Sequence, residues 1–281
     1  MLMRIKEETS EELVGFVQAA RDSLTLPDSA IKVDLDWSSY AGKRRHLPWF
    51  ILTNLLLAEN GVKIFMHGAG GHTEGRIYTE DVLKVLGIPV SRSFAEAAEQ
   101  IAQHNFAYLP LQCFSPKLYE IIELRWLMGL RSPVHTLVRL LNPFNASHTI
   151  QGIFHPSYRA VHQQAALLLG QQNMAVLKGE GGETERNPDM DCLVQSVVNG
   201  QLQDEQWPAL FARRHMKAES LEPQQLIAHW SGETEDEFAT STIIGTAAVA
   251  LKLLGKAQTQ QQAQQLATDY WHNRQKNRFV D

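Results

Sequence analysis

Cysteine is scarce: Cys113 and Cys192 are the only two in 281 residues. That count excludes a disulfide framework and a cysteine-built zinc cluster, and it fits a reducing, cytoplasmic setting. No apolar run is long enough to cross a bilayer, so no membrane partner is expected. The N-terminus, Met1-Leu-Met-Arg-Ile-Lys-Glu-Glu, lacks a basic stretch followed by an apolar one, and no export signal is expected. The two best-known phosphate signatures are also missing. Neither the dinucleotide G-x-G-x-x-G fingerprint nor a Walker A loop with its Lys-Ser/Thr pair occurs. Positive charge is not in excess either, with 26 Lys and Arg against 31 Asp and Glu and a net charge of −5.

What is present is unevenly placed. Residues 31–170 hold 13 basic and 10 acidic side chains, about +3, whereas both flanking stretches are acidic. Charge segregation of this kind permits an anionic partner without requiring one. The most informative stretch lies inside the basic region: Met66-His-Gly-Ala-Gly-Gly-His-Thr-Glu-Gly75 follows an apolar run and precedes an amphipathic one, Asp81 to Gly87. A strand that empties through glycines into a helix presents bare backbone N–H groups to an anion. The candidates there are His67, Gly68, Gly70 and Gly71, with Arg76 just beyond; a purely structural turn is the other reading. His67 and His72 flank the glycines, but no Cys or carboxylate ligand set accompanies them, so zinc is not expected.

Periodicity predicts an α/β protein. Glu8 to Ala20 reads as a helix, with Thr9 and Ser10 supplying cap-type residues at its start. Strands are expected at Ile31 to Leu35, Val62 to Met66, Phe106 to Leu111, Ile150 to Phe154 and Met174 to Lys178. Helices are expected at Leu47 to Glu59, Ala95 to His104, Pro116 to Met128, Pro156 to Leu169, Pro223 to Trp230 and Ser241 to Lys256. Strand–helix–strand alternation implies a mostly parallel sheet. The Gln-rich tail, Gln258 to Arg274, has apolar residues at helical spacing and reads as a surface helix, while Trp126, Trp207 and Trp230 read as core. Met1-Leu2-Met3 reads as the tail of a helix that begins earlier.

The order of motifs resembles that of the anthranilate phosphoribosyltransferases, and more closely their divergent YbiB-type paralogues. Arg4-Ile-Lys-Glu-Glu-Thr-Ser-Glu-Glu resembles the family's R-x-K-G-E-T-x-E-E segment, and His67-Gly68 sits in its K-H-G-N loop. Arg125, Arg131 and Leu140-Leu-Asn142-Pro143 resemble its R-x-x-L-G-x-R-T…L-T-N-P run. Lys178 to Glu185 takes the place of its H-G-x-x-G-x-D-E loop. The resemblance implies a nucleoside phosphorylase/phosphoribosyltransferase-like fold. Residues 1–29 and about 112–132 would form a small helical domain, incomplete at its start. Residues 30–111 and 133–281 would form a larger α/β domain, with the site in the cleft between the two.

The departures from the family pattern bear on function. The glycine-rich loop that wraps pyrophosphate in the enzymes corresponds to Asp36 to His46, where one glycine replaces three and Trp37 and Tyr40 intrude. The K-H-G-N lysine is Met66, and its asparagine is Ala69. The metal-binding D-E pair is Thr184-Glu185, which leaves Glu185 as the one metal candidate. No cofactor is expected, with Mg2+ relevant only to a transferase, and no catalytic residue is assigned. The gains are basic and aromatic: Lys43, Arg44, Arg45 and His46 beside Trp37, Tyr40 and Trp49, with Arg76, Arg125, Arg131 and Arg139 directed at the same cleft. Guanidiniums suit phosphates, and aromatic faces suit unpaired bases. A second basic cluster is Arg213-Arg214-His215-Met-Lys217. The resemblance to YbiB-type proteins implies a homodimer that binds nucleic acid with little regard to sequence. The alternative is a phosphoribosyl or glycosyl transferase with an acceptor other than anthranilate.

Overall fold

Seven strands form a single sheet in the order β3-β2-β1-β4-β5-β6-β7. They are β1 (Leu35–Ser39), β2 (Ile64–Gly68), β3 (Phe106–Pro110), β4 (His148–Ile153), β5 (Asn173–Lys178), β6 (Cys192–Val198) and β7 (Gln201–Trp207). The computed structural model describes residues 6–25, 31–71, 73–216 and 220–279. The sequence readings that concern Met1 to Met3, His72 and Lys217 fall outside the described residues. Strands β1 to β5 are mutually parallel, and β6 and β7 run antiparallel at one edge. A mixed α/β architecture with a mostly parallel sheet is therefore correct.

The expected strands are all present, with one displaced. Instead of Ile31 to Leu35, β1 spans Leu35–Ser39 and is buried throughout. Some of its polar atoms are bonded inside the sheet: Ser39 Oγ lies 2.7 Å from Thr79 Oγ1, and Asp36 Oδ1 lies 3.2 Å from His67 Nε2. The β6–β7 hairpin was not foreseen. Its two-residue turn, Asn199-Gly200, has φ of 50° and 74°, the positive pair that a type I′ hairpin requires. That dipeptide was the available signal, but the polar sequence of β7 masked it.

One face of the sheet is covered by Phe50–Glu59, buried at every position but the last, and by Glu237–Leu253, which is rich in Ala and Thr and buried for most of its length. Small residues let these two helices approach closely. Asp236 starts the second by accepting the Ala239 N–H at 2.9 Å, four residues before the expected start. The Gln-rich segment is the surface helix Gln260–Asn273, which buries Ala263, Ala267 and Trp271. On the other face, Ser10–Asp22, held by a Thr9/Glu12 capping box, shares an apolar cluster with Tyr158–Leu168 through Leu13, Val17, Ala165 and Ala166. The expected helix Pro116 to Met128 is broken at Leu124 into Pro116–Glu123 and Arg125–Met128. There Trp126 is 60% exposed, contrary to its reading as core, whereas Trp207 and Trp230 are buried.

Candidate anion-binding cleft

Loops from the carboxyl ends of the parallel strands meet over the sheet, where open α/β sheets generally bind ligands. Residues 41–46 follow β1, Phe154 and His155 follow β4, and residues 179–185 follow β5. The last of these crosses two glycines at very close range. A Cβ on Gly152 would lie 2.2 Å from the Glu183 carbonyl carbon, and one on Gly179 would lie 1.7 Å from the Glu183 oxygen. Only glycine at both positions lets the loop lie down on the strand ends.

That loop carries Glu180, Glu183 and Glu185 into the loop after β1. Glu183 Oε1 accepts the N–H groups of Ala41 and Gly42, each at 2.6 Å. Glu180 Oε1 accepts those of Arg44 and Arg45 at 3.2 and 2.7 Å. Glu185 Oε2 accepts the Phe50 N–H at 2.9 Å, while its Oε1 takes the Lys43 ammonium. Five backbone N–H groups thus already hold carboxylates of the same chain. Burial works against an ionised Glu180, but Lys43 and the two N–H groups outweigh it and hold its pKa below the usual value.

Beside this closed pair of loops is an open cleft of about 820 Å³. Arg44, Arg45, Arg76, Arg125 and Arg131 line it, together with Arg159 and Lys178. Arg76 Nη1 donates to the carbonyls of Ala41 and Gly42, and Arg125 hydrogen-bonds Thr73 Oγ1. Arg131 has no hydrogen bond or ion pair with any described residue. Its pKa is pushed down to about 10, first by burial and then by the fields of Arg125, Arg76 and Arg139. A guanidinium does not lose its proton at neutral pH. The shift therefore measures how costly it is to keep this charge among its neighbours. The cleft continues into a small polar annex lined by Tyr40, Ser132, Thr136, Arg139, Tyr158 and His162.

Several sequence-derived candidates are buried, bonded within the protein or outside the cleft. Trp37 is fully buried within the core, and Tyr40 is buried with its hydroxyl 2.6 Å from His67 Nδ1, so neither offers a face to a base. Trp49 is buried as well. Lys43 is 2% exposed and neutralised by Glu185 and Glu180, so it is no phosphate contact, and Glu185 is equally committed. His67 is buried between Tyr40 and the Asp36 carboxylate and does not line the cleft. Gly68 serves strand packing: a Cβ there would lie 2.0 Å from the Ser39 carbonyl oxygen. Neither Gly70 nor Gly71 lines the cleft. Arg139 is buried and donates to the Gly182 carbonyl. Arg213 and Arg214 are exposed and do not line the cleft, and His215 is tied to Asp189. Arg44, Arg45, His46, Arg76, Arg125 and Arg131 do converge. Arg159 and Lys178 went unrecognised, although Lys178 ends a buried strand and Arg159 opens the helix after another.

The fold and this cleft define a phosphoribosyltransferase-like protein. The chain belongs to the glycosyl transferase family, whose a/b-domain model matches residues 51–275. An uncharacterized protein of Aquifex aeolicus is 31% identical over 230 residues, covering 80% of this chain and 63% of that protein. The uncharacterized protein YbiB of Escherichia coli is 27% identical over 191 residues, 66% of this chain and 59% of that one. The chain thus spans about three fifths of the length of these relatives. Anthranilate phosphoribosyltransferase of Thermus thermophilus superposes with a TM-score of 0.79 at 21% identity, covering 95% of this chain and 82% of that one. The Saccharomyces cerevisiae enzyme in complex with PRPP and Mg gives 0.76 at 17% identity, covering 97% and 80%. At these identities the structural likeness establishes the fold.

Proposed function

We propose that this chain is a phosphoribosyltransferase-like scaffold that binds nucleic acid electrostatically, with little regard to sequence, and does not carry out anthranilate transfer. The observation that carries this reading is the cleft's cationic lining. Seven Lys and Arg side chains line it against two carboxylates, Glu180 and Asp191, and Arg131 has no counter-ion among the described residues. Like charges held this close repel one another, and a polyanion relieves that repulsion. The N–H groups of the loop after β1, which in the resembled enzymes wrap pyrophosphate, are filled by Glu180 and Glu183. With the rest of the surface net acidic, binding is confined to the cleft. In this reading the chain acts as a homodimer.

The test is fluorescence anisotropy of a labelled single-stranded oligonucleotide across a salt series. Each neutralised phosphate contributes about −0.7 to the slope of log K against log salt on a single strand. Seven cations set a ceiling near −5 by the same rule. No binding at low salt refutes the reading.

A second reading, phosphoribosyl or glycosyl transfer to an acceptor other than anthranilate, is favoured by membership of the family. It predicts a higher melting temperature with phosphoribosyl pyrophosphate and Mg2+, since a ligand of the native state stabilises it. An unchanged melting temperature counts against it.

A further inference from the structure

Family membership raises the question of a divalent cation, and the solved yeast enzyme carries Mg. A Mg2+ ion working with phosphate ligands is held through one or two carboxylates, with water and phosphate filling the remaining positions. In this chain two carboxylate oxygens, Glu180 Oε2 and Glu185 Oε1, point at one place. That place is filled by the Nζ of Lys43, 3.1 Å from Glu180 Oε2 and in closer contact with Glu185 Oε1. The opposite oxygens are already used, Glu180 Oε1 by Arg44 and Arg45 and Glu185 Oε2 by Phe50. The residues present do not fit a metal.

The lysine is also fixed in position. Its main chain exchanges two hydrogen bonds with Ile77, N to O at 2.9 Å and O to N at 2.8 Å. Its side chain is almost fully buried. Burial alone would push the ammonium toward neutrality, but Glu185 and Glu180 more than offset that and keep it charged. For the ammonium to leave, two carboxylates would have to remain buried without a cation. The third glutamate of the loop, Glu183, spends Oε1 on the Ala41 and Gly42 N–H groups and leaves Oε2 buried without a hydrogen-bond partner, and among the described residues no group of three or more His, Cys, Asp or Glu side chains is placed to hold a metal.

We propose that the Lys43 ammonium is the resident cation beside this cleft, standing behind its wall between Glu180 and Glu185 where a divalent metal would stand. The cleft then holds its anion without Mg2+. It favours phosphate groups that bring no chelated metal, such as phosphodiesters, over metal-chelated pyrophosphates. This holds whether or not the anion is nucleic acid, so its test requires no oligonucleotide.

The experiment is a titration with Mn2+, followed by the electron paramagnetic resonance of free ion and by thermal melting, on the wild type, Lys43→Met, Glu185→Gln and the double variant. Wild type is expected to show no Mn2+ uptake attributable to Glu185 and no change in melting temperature. Lys43→Met keeps the apolar stem but removes the charge. It is expected to take up Mn2+ and to be stabilised by it, and Glu185→Gln in the same chain should cancel both effects. Mn2+ uptake by the wild type that Glu185→Gln abolishes overturns the inference, and that comparison stands even if Lys43→Met fails to fold. A folded Lys43→Met that takes up no more Mn2+ than the wild type overturns it equally.

Discussion

Replacing Arg131 with glutamine should stabilise the free protein while weakening its hold on a polyanion. Removing a half-buried arginine ordinarily costs stability, because a bonded carboxylate is left behind. Arg131 leaves nothing behind, since it bonds to no described residue. Its pKa, pushed from 12.5 to about 10, corresponds to a charging penalty of at most about 3.4 kcal/mol at 1.36 kcal/mol per pH unit. Solvent reaches part of the group and screens the repulsion, so roughly 1 kcal/mol is the gain to expect. For a chain of this size that is a rise in melting temperature of about 2 °C. The same substitution removes one phosphate contact, and the salt slope for a single strand should flatten by about 0.7. The assay pairs thermal melting of the free protein with oligonucleotide anisotropy at four or so salt concentrations. A lower melting temperature would show that Arg131 has a structural partner. An unchanged slope would show that the anion does not reach it.

The remaining predictions concern pH and assembly. His162 is fully buried and hydrogen-bonded through Nδ1 to Gln151 Oε1 at 2.7 Å. Its pKa falls from 6.5 to about 3, through burial and then Arg139. As pH drops below 6.5 the unfolded chain takes up this proton and the folded chain does not, so stability falls by up to about 1.4 kcal/mol per pH unit. Urea melts should therefore show a loss of about 2 kcal/mol between pH 6.5 and 5 in the wild type that is missing in His162→Gln; parallel curves would refute the assignment. Ile121, Leu124, Trp126, Leu127, Met128 and Leu130 form an exposed apolar stretch, with Leu127 84% exposed. A patch of this kind marks a protein interface. Sedimentation should give a dimer for the wild type and a monomer for Leu127→Asp, and a monomeric wild type would refute this interface.

The parallel β-strands were legible because buried strands of a parallel sheet read as short apolar runs, and β2 to β5 fall where such runs occur. The first cap was legible too, since Thr9 reads as a cap-type residue at the start of the first helix and caps it in the structure. Arg44, Arg45, Arg76, Arg125 and Arg131 could be assigned to one cleft because motif order carries the family's chain path. What the sequence could not show is which charges cancel. Lys43, Arg44 and Arg45 are adjacent and chemically alike, yet Lys43 turns inward to Glu180 and Glu185 while its two neighbours face the cleft. Likewise Trp37 and Tyr40 resemble a stacking platform in sequence and are core in space, because β1 runs four residues further than its apolar run. Sequence determined the strands β2 to β5, the Thr9 cap and the inventory of cations, since each depends on residues near one another in the chain. Tertiary structure alone decided which cations face the cleft. Ion pairing here joins residues about 140 positions apart, and only the folding of the β5 loop onto the β1 loop brings them within bonding distance.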